Sequence, residues 1–304
     1  MLGRDNLREA TMQSGGRRPG TLRIWIALGG MIAMLALSVP ATGLARGTPD
    51  PNLPNDPVTS NGSGVMGVSS RDVARPRVVP LAAVCPSGTP LQGVDVSHYD
   101  GTINWNQVEQ SGRSFAYAKA TEGTAYVDPT FSTNYRGIKA AGMKAGAYHF
   151  FHPADDPTAQ AILLVTTLES ANVAVGDLAP VLDVEVTDGQ SPATIAANLQ
   201  TMIAVVRQRL GVTPIIYTSA SYWNANVATT SFSSDPLWTA YWSATCPSVP
   251  NGWNAWVFWQ YSAQGNVTGI SSTVDLDESF GASLPVLPTV PTRVVLPTLF
   301  NSAP

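Results

Sequence analysis

Asp183 and Glu185 sit two residues apart in the apolar run APVLDVEV (179–186). In an extended strand, side chains i and i+2 share one face with Cα atoms ~6.6 Å apart, so both carboxyls stand side by side while Val184 turns away. Two neighbouring carboxyls on a largely apolar strand lose solvation and repel each other, so one can hold its proton near neutral pH while the other ionises. Glycosidic bond cleavage needs that combination: an acid for the leaving oxygen and a carboxylate to stabilise or attack the sugar cation. The same spacing also fits a solvated strand end with capping or salt-bridge duties. Asp95 in GVDVS (93–97) and Asp275 and Asp277 in VDLDESF (274–280) are further candidates. Taken alone, Asp95 also reads as an N-cap or turn former, and Asp275 or Asp277 as a turn residue or the cap of a short final helix.

Aromatic residues form the second signal. Trp238, Trp242, Trp253, Trp256 and Trp259 crowd one stretch with Tyr241 and Tyr261. Flat rings suit sugar CH faces and Tyr hydroxyls suit sugar hydroxyls, yet alternating aromatics also build barrel core. Trp256, Phe258 and Gln260 share one strand parity; Val257, Trp259 and Tyr261 share the other. Trp259 is taken as the substrate-facing Trp, with Tyr148 and Tyr217 at the ends of their strands as groove positions. Lys119, ending FAYAKAT (115–121), either contacts substrate or pairs with a groove carboxylate. His149 and His152 fall in HFFHPADD, a strand-like segment where i, i+3 side chains point to opposite faces. No metal site is expected there, nor any cofactor; His98 reads as a rim residue.

These residues need a scaffold, and strand-like and helix-like segments alternate to supply one. The strands are GVDVS, FAYAKAT, KAGAYHFF (144–151), APVLDVEV and PIIYTS (214–219). Helical segments follow them: NWNQVEQSG, FSTNYRGIKAAG (131–142), TAQAILLVTTLESA (158–171) and SPATIAANLQTMIAVVRQRLG (191–211). Asp156-Pro157 and Ser191-Pro192 provide N-cap and N1 residues, while Gly142 and Gly211 stop their helices. PLWTAYW (236–242) and AWVFWQYS (255–262) then read as strands with no long helix between them. Five βα repeats followed by strands alone predict an α/β fold, an irregular β/α barrel of the TIM-barrel type, whose site lies at the C-terminal ends of its strands.

Charged residues are 12% of the 304-residue chain, about half the usual ~25%. Between Leu91 and Leu287 seven basic residues face 16 acidic ones, a net charge of −9. That disfavours a nucleic-acid partner, which needs a cationic face. Two cysteines exclude a zinc ribbon. The N-terminus carries Arg4, Arg8, Arg17, Arg18 and Arg23 ahead of the apolar run Ile24–Val39 and the small residues Ala41–Ala45. Residues 1–45 therefore read as a secretory signal or a retained membrane anchor. The Pro/Gly/Ser-rich stretch 46–84 reads as a linker, 85–287 as one folded domain, and 288–304 as a Pro-rich tail. In an exported chain Cys85, before the first strand, and Cys246, in a later loop, are expected to form one disulfide.

GVDVSHYDG, FAYAKATEG, YVDPTF, GAYHFFHP, PVLDVEV, FWQYS and VDLDESF occur in this order across about Leu91–Gly281. Together they resemble a glycoside hydrolase family 25 lysozyme, the Chalaropsis-type N-acetylmuramidase. The resemblance implies five βα units plus three further strands. It also implies hydrolysis of the β-1,4 bond between N-acetylmuramic acid and N-acetylglucosamine in peptidoglycan. With the N-terminal segment read above, the expectation is a monomer that is secreted and cell-wall associated, or tethered to the membrane by that segment. By that pattern Glu185 is the general acid, Asp183 its carboxylate partner, and Asp95 and Asp275 supporting acids. The second Asp of VDLDESF departs from the pattern, which leaves Asp277 as the alternative to Asp275; Asp275 is preferred because it follows Val274 at the strand end. Two other functions fit the same barrel: an inactive wall-binding module, and a hydrolase of another N-acetylglucosamine polymer.

Overall fold

The computed structural model describes residues 82–85, 88–242, 246–280 and 284–288. The proposed signal or anchor, nearly all of the linker and all but the first residue of the tail lie outside these.

Eight strands close a barrel. They are β1 (Leu91–Val96), β2 (Phe115–Glu122), β3 (Lys144–Phe150), β4 (Val181–Asp183), β5 (Ile215–Ser219), β6 (Leu237–Ala240), β7 (Phe258–Gly265) and β8 (Val274–Ser279). Neighbours from β1 through β7 pair in parallel. β8 runs antiparallel to both β7 and β1 and closes the ring. Helices α1 (Trp105–Gln110), α2 (Phe131–Ala140), α3 (Pro157–Ser170), α4 (Pro192–Leu210) and α5 (Ala220–Asn226) follow the first five strands. The expected plan of five βα units and three further strands is the one observed.

Local chemistry explains the boundaries. Asp156 accepts from the Thr158 and Ala159 amides, and Ser191 from that of Thr194, so both Asp/Ser-Pro starts work as read. Gly211, at φ 69°, ends α4 in the left-handed region that favours glycine. β4 is shorter than the apolar run because its ladder is confined to Val181–Asp183. α5 has no counterpart in the sequence reading. Its cap, Ser219, is also the last residue of β5, so strand passes directly into helix without a loop.

Period-two alternation divides the core. One face of the strands packs against the helices through Val94, Val96, Ala116, Ala118, Leu182 and Ile216. The other fills the barrel interior with Phe115, Tyr117, Tyr148, Val181, Ile215, Tyr217, Trp238 and Phe258. Tyr117 and Trp238 stack at 4.8 Å, Phe115 and Phe258 at 5.0 Å. Two interior glycines make room for these rings. A Cβ on Gly93 would lie 2.2 Å from the Phe115 ring, and one on Gly146 2.2 Å from that of Tyr117.

Cys85 and Cys246 are bonded, as expected. Beside them Ala82–Ala83, at the end of the stretch read as linker, pair antiparallel with Ser248–Val249. Closing a loop across 161 residues stabilises the fold by about 5 kcal/mol in the chain-entropy picture.

Candidate active site

At the C-terminal rim the interior side chains change from aromatic to polar. β1 presents Asp95, β2 Lys119, β4 Asp183 and β7 Gln260, all 3% exposed or less. β8 enters from the opposite direction, so its start lies at this same rim: Asp275 stands opposite Asp95 and Asp277 opposite Gly93, one layer deeper. Asp275 is partly exposed and Asp277 fully buried. The Val184 amide still bonds to the Tyr217 carbonyl at 2.9 Å, so alternation continues past Asp183 and returns Glu185 to the interior side. Glu185 is 2% exposed.

One amide ties much of this layer together. Gln260 Nε2 donates to Asp95 Oδ2 at 2.9 Å, while its Oε1 accepts from the Tyr217 hydroxyl at 3.0 Å and from Trp242 Nε1 at 3.2 Å. Burial pushes the Asp95 carboxyl up to about 7, against the pull of the Gln260 N–H. Burial drives Asp183 well above the carboxylate range too, opposed by the Lys119 ammonium and reinforced by Asp95. Asp275 and Asp277 are pushed up by burial and then by Asp95. The cluster therefore holds protons at pH values where ordinary carboxyls have lost them. The Tyr217 phenol is raised by burial and then by Glu185, Asp183, Asp95 and Asp275, which marks it as the ring that sees all four acids. The Tyr148 hydroxyl and both Asp183 oxygens have no hydrogen-bond partner among the described residues.

Lys119 stands inside the barrel and is buried. Its ammonium pairs with Glu122 and lies 5.2 Å from the centre of the Phe150 ring and 5.5 Å from that of Tyr126. Glu122, although burial works the other way, is drawn down to about 2 by His152 and Lys119. His149 and His152 part company. His149 is buried against Thr121 and Gln160, and burial lowers it to about 4. His152 reaches the rim, between Glu122 and Asp188. Among the described residues no group of three or more His, Cys, Asp or Glu is placed to hold a metal.

Trp259 is not brought to the carboxyls. Its parity is opposite to that of Phe258 and Gln260, so its ring packs against Trp256 and Tyr261 and its Nε1 donates to the Tyr241 carbonyl at 2.6 Å. Trp242 does reach the polar layer, through Gln260. Sequence reasoning also passed over Gln260 itself, a neutral amide with no acid–base chemistry to announce it. A cavity of about 420 Å³ between the start of α2 and the end of α3 lies apart, lined by Val127, Phe131, Thr166 and Ser170 among others.

A closed barrel with carboxyls gathered on the C-terminal rim over an aromatic floor is an architecture that can serve glycosidic bond cleavage. The sequence model of Glycosyl hydrolases family 25 matches residues 94–270, and the chain belongs to that family. It is 37% identical to "Lysozyme M1" of Streptomyces globisporus over 287 residues, covering 90% of this chain and 94% of that one. It is 29% identical to the "N,O-diacetylmuramidase" of Chalaropsis sp., covering 61% and 96%. Among solved structures, the bacterial lysozyme from Streptomyces coelicolor superposes with a TM-score of 0.59 at 37% identity, over 65% of this chain and 95% of that one. The chain is thus a glycoside hydrolase of the lysozyme and muramidase family.

Proposed function

We propose that the chain is an exported lysozyme that hydrolyses the β-1,4 bond between N-acetylmuramic acid and N-acetylglucosamine in peptidoglycan. Residues 1–45 serve as its export signal or anchor, 46–84 as a linker and 288–304 as a tail, with 85–287 as the catalytic domain. The observation that carries the reading is the Asp183–Glu185 pair at the barrel mouth, within the stretch matched by the family 25 model. Relatives named as lysozymes and as an N,O-diacetylmuramidase support the substrate.

In this mechanism Glu185 protonates the glycosidic oxygen as the bond to the anomeric carbon breaks. Asp183, in the carboxylate form that the Lys119 ammonium favours against burial, stabilises the positive charge that develops on the sugar, or orients the substrate's own N-acetyl group to do so. Water then adds at the anomeric carbon and gives its proton to Glu185, which restores the acid. Asp95 and Asp275 are supporting acids that shape the charge of the pocket, with Asp95 oriented by Gln260. Tyr148, Tyr217 and Lys119 form the floor and wall beneath the sugar.

Reducing-end analysis of digested peptidoglycan, with chitin as a control, tests this directly. New muramic acid ends and intact chitin are expected. New glucosamine ends, or chitin cleaved at a comparable rate, would overturn the proposal.

A further inference from the structure

Four ionisable side chains form one row across the ends of β2, β3 and β4. The Lys119 ammonium pairs with Glu122 Oε2. Glu122 Oε1 lies 3.1 Å from His152 Nε2, and His152 Nδ1 lies 3.0 Å from Asp188 Oδ2. The row begins inside the barrel, where the Lys119 charge pulls on the Asp183 carboxyl against its burial. It ends three residues beyond Glu185, in the loop that leaves β4.

The histidine is held as a fixed post. Its backbone N–H donates to Gln160 Oε1 at 2.9 Å and its carbonyl accepts from Gln160 Nε2 at 2.8 Å, and Gln160 is fully buried on α3. The ring contacts Phe150 at 5.3 Å, the same ring that lies beside the Lys119 ammonium. Asp188, by contrast, sits at φ 46°, in the left-handed region that a non-glycine residue keeps only when its surroundings hold it there. The bond to His152 is one such hold.

We propose that His152 is a positioning residue for the acid pair: as an imidazolium shared by Glu122 and Asp188, it fixes Lys119 beside Asp183 and pins the loop that carries Glu185. This rests on the reading of Asp183 and Glu185 as the catalytic pair. Both ring nitrogens face carboxylates, so both must donate. A neutral imidazole has one N–H, and one of the two carboxylates then meets a lone pair instead. The groups facing His152 are Glu122 from β2, Asp188 from the loop after β4, Asp155 beside it over Gly123, and His149 from β3, with Lys119 one link further on across Glu122. Glu122 raises the histidine, burial lowers it and Asp188 raises it, with a net upward shift. The bridge is therefore favoured while His152 holds its second proton, to a pH above the ordinary histidine value, and is lost as pH rises through the His152 titration. Each of the three rim side chains is more than a quarter or about a quarter exposed, so the bridge contributes little to global stability. Its effect lies in geometry.

The test compares pH–rate profiles on soluble peptidoglycan fragments for the wild type, His152→Gln and Asp188→Asn, with an imidazole NMR titration of His152 in the wild type and in Asp188→Asn. His152→Gln is expected to lower kcat about tenfold to a hundredfold with KM little changed, and to lack the alkaline decline of the wild type. Asp188→Asn is expected to lower the NMR midpoint and to move the alkaline decline to lower pH by the same interval. Wild-type kcat and an unchanged decline in His152→Gln would overturn the inference. So would an NMR midpoint that moves in Asp188→Asn while the rate profile stays in place, and that comparison decides alone if His152→Gln does not fold. Glu185→Gln runs alongside: turnover by that variant sinks the catalytic reading itself, whereas an inactive Glu185→Gln with unaltered His152 and Asp188 variants removes this inference alone.

Discussion

Deep in the barrel, Phe115, Tyr117, Trp238 and Phe258 meet ring to ring. One strand period higher stand Lys119, Gln260 and Asp95, joined from neighbouring strands by Asp183 and Asp275. β2 contributes Phe115, Tyr117 and then Lys119; β7 contributes Phe258 and then Gln260; β1 contributes Gly93 and then Asp95. The same backbone and the same inward face thus supply a dry layer and a proton-holding one. In the lower layer ring-on-ring packing stabilises the closed sheet, the Tyr117 hydroxyl donates to the Ala179 carbonyl at 3.2 Å, and Asp277 stands beside these rings one layer below Asp275. In the upper layer burial works against the side chains: carboxyls are desolvated, crowded and, at Asp183, without a hydrogen-bond partner among the described residues. Stability and chemistry are separated by about one strand repeat, and mutations in the two layers should separate in the same way.

Asp183→Asn acts mainly on rate. It keeps the shape and removes the ionisation, so kcat on soluble peptidoglycan fragments is expected to fall on the order of 10²–10³-fold. The thermal midpoint, measured by calorimetry on the same sample, should hold at low pH and exceed that of the wild type as pH rises, because ionising the buried Asp183 carboxyl carries a desolvation cost that an amide does not. Phe115→Ala reverses the pattern. Deleting a fully buried ring is expected to cost about 3–5 kcal/mol in urea unfolding while kcat of the folded fraction changes little. A smaller effect comes from pH. The folded state holds Asp95 at about 7, well above its unfolded value, so between the ordinary carboxylate range and pH 7 the folded chain binds the extra proton. Stability gained from that proton is fully present below the unfolded value and is lost as pH rises through the folded one. Thermal midpoints are therefore expected to fall from pH 5 to pH 8, by an amount equivalent to about 1–3 kcal/mol, with the slope flattened in Asp95→Asn.

Much of this division can be read along the chain, and the parts that cannot have physical reasons. Asp183 and Glu185 announce themselves because i, i+2 acids on an apolar strand are expensive. Asp156-Pro157 and Ser191-Pro192 mark helix starts because side-chain caps are local chemistry. Trp259 shows the limit of composition: an aromatic cluster signals sugar contact, but parity decides which ring faces inward, and Trp259 has the other parity. Gln260 gives no local sign of its three-way role, since its partners lie 18, 43 and 165 positions away. Glu122 ends β2 while His152 and Asp188 lie in the loops after β3 and β4, and only the parallel pairing of these three strands brings them together. The choice between Asp275 and Asp277 turns on the antiparallel register of β8, which places one at the mouth and the other a layer below.

Glu185→Gln tests the separation of the two layers most directly. Turnover of peptidoglycan and thermal midpoint are measured together on one preparation. The expected result is a loss on the order of 10³-fold in turnover with the midpoint and glycan binding retained. Turnover close to wild type, or a loss that simply follows unfolding, would contradict a catalytic role for the upper layer.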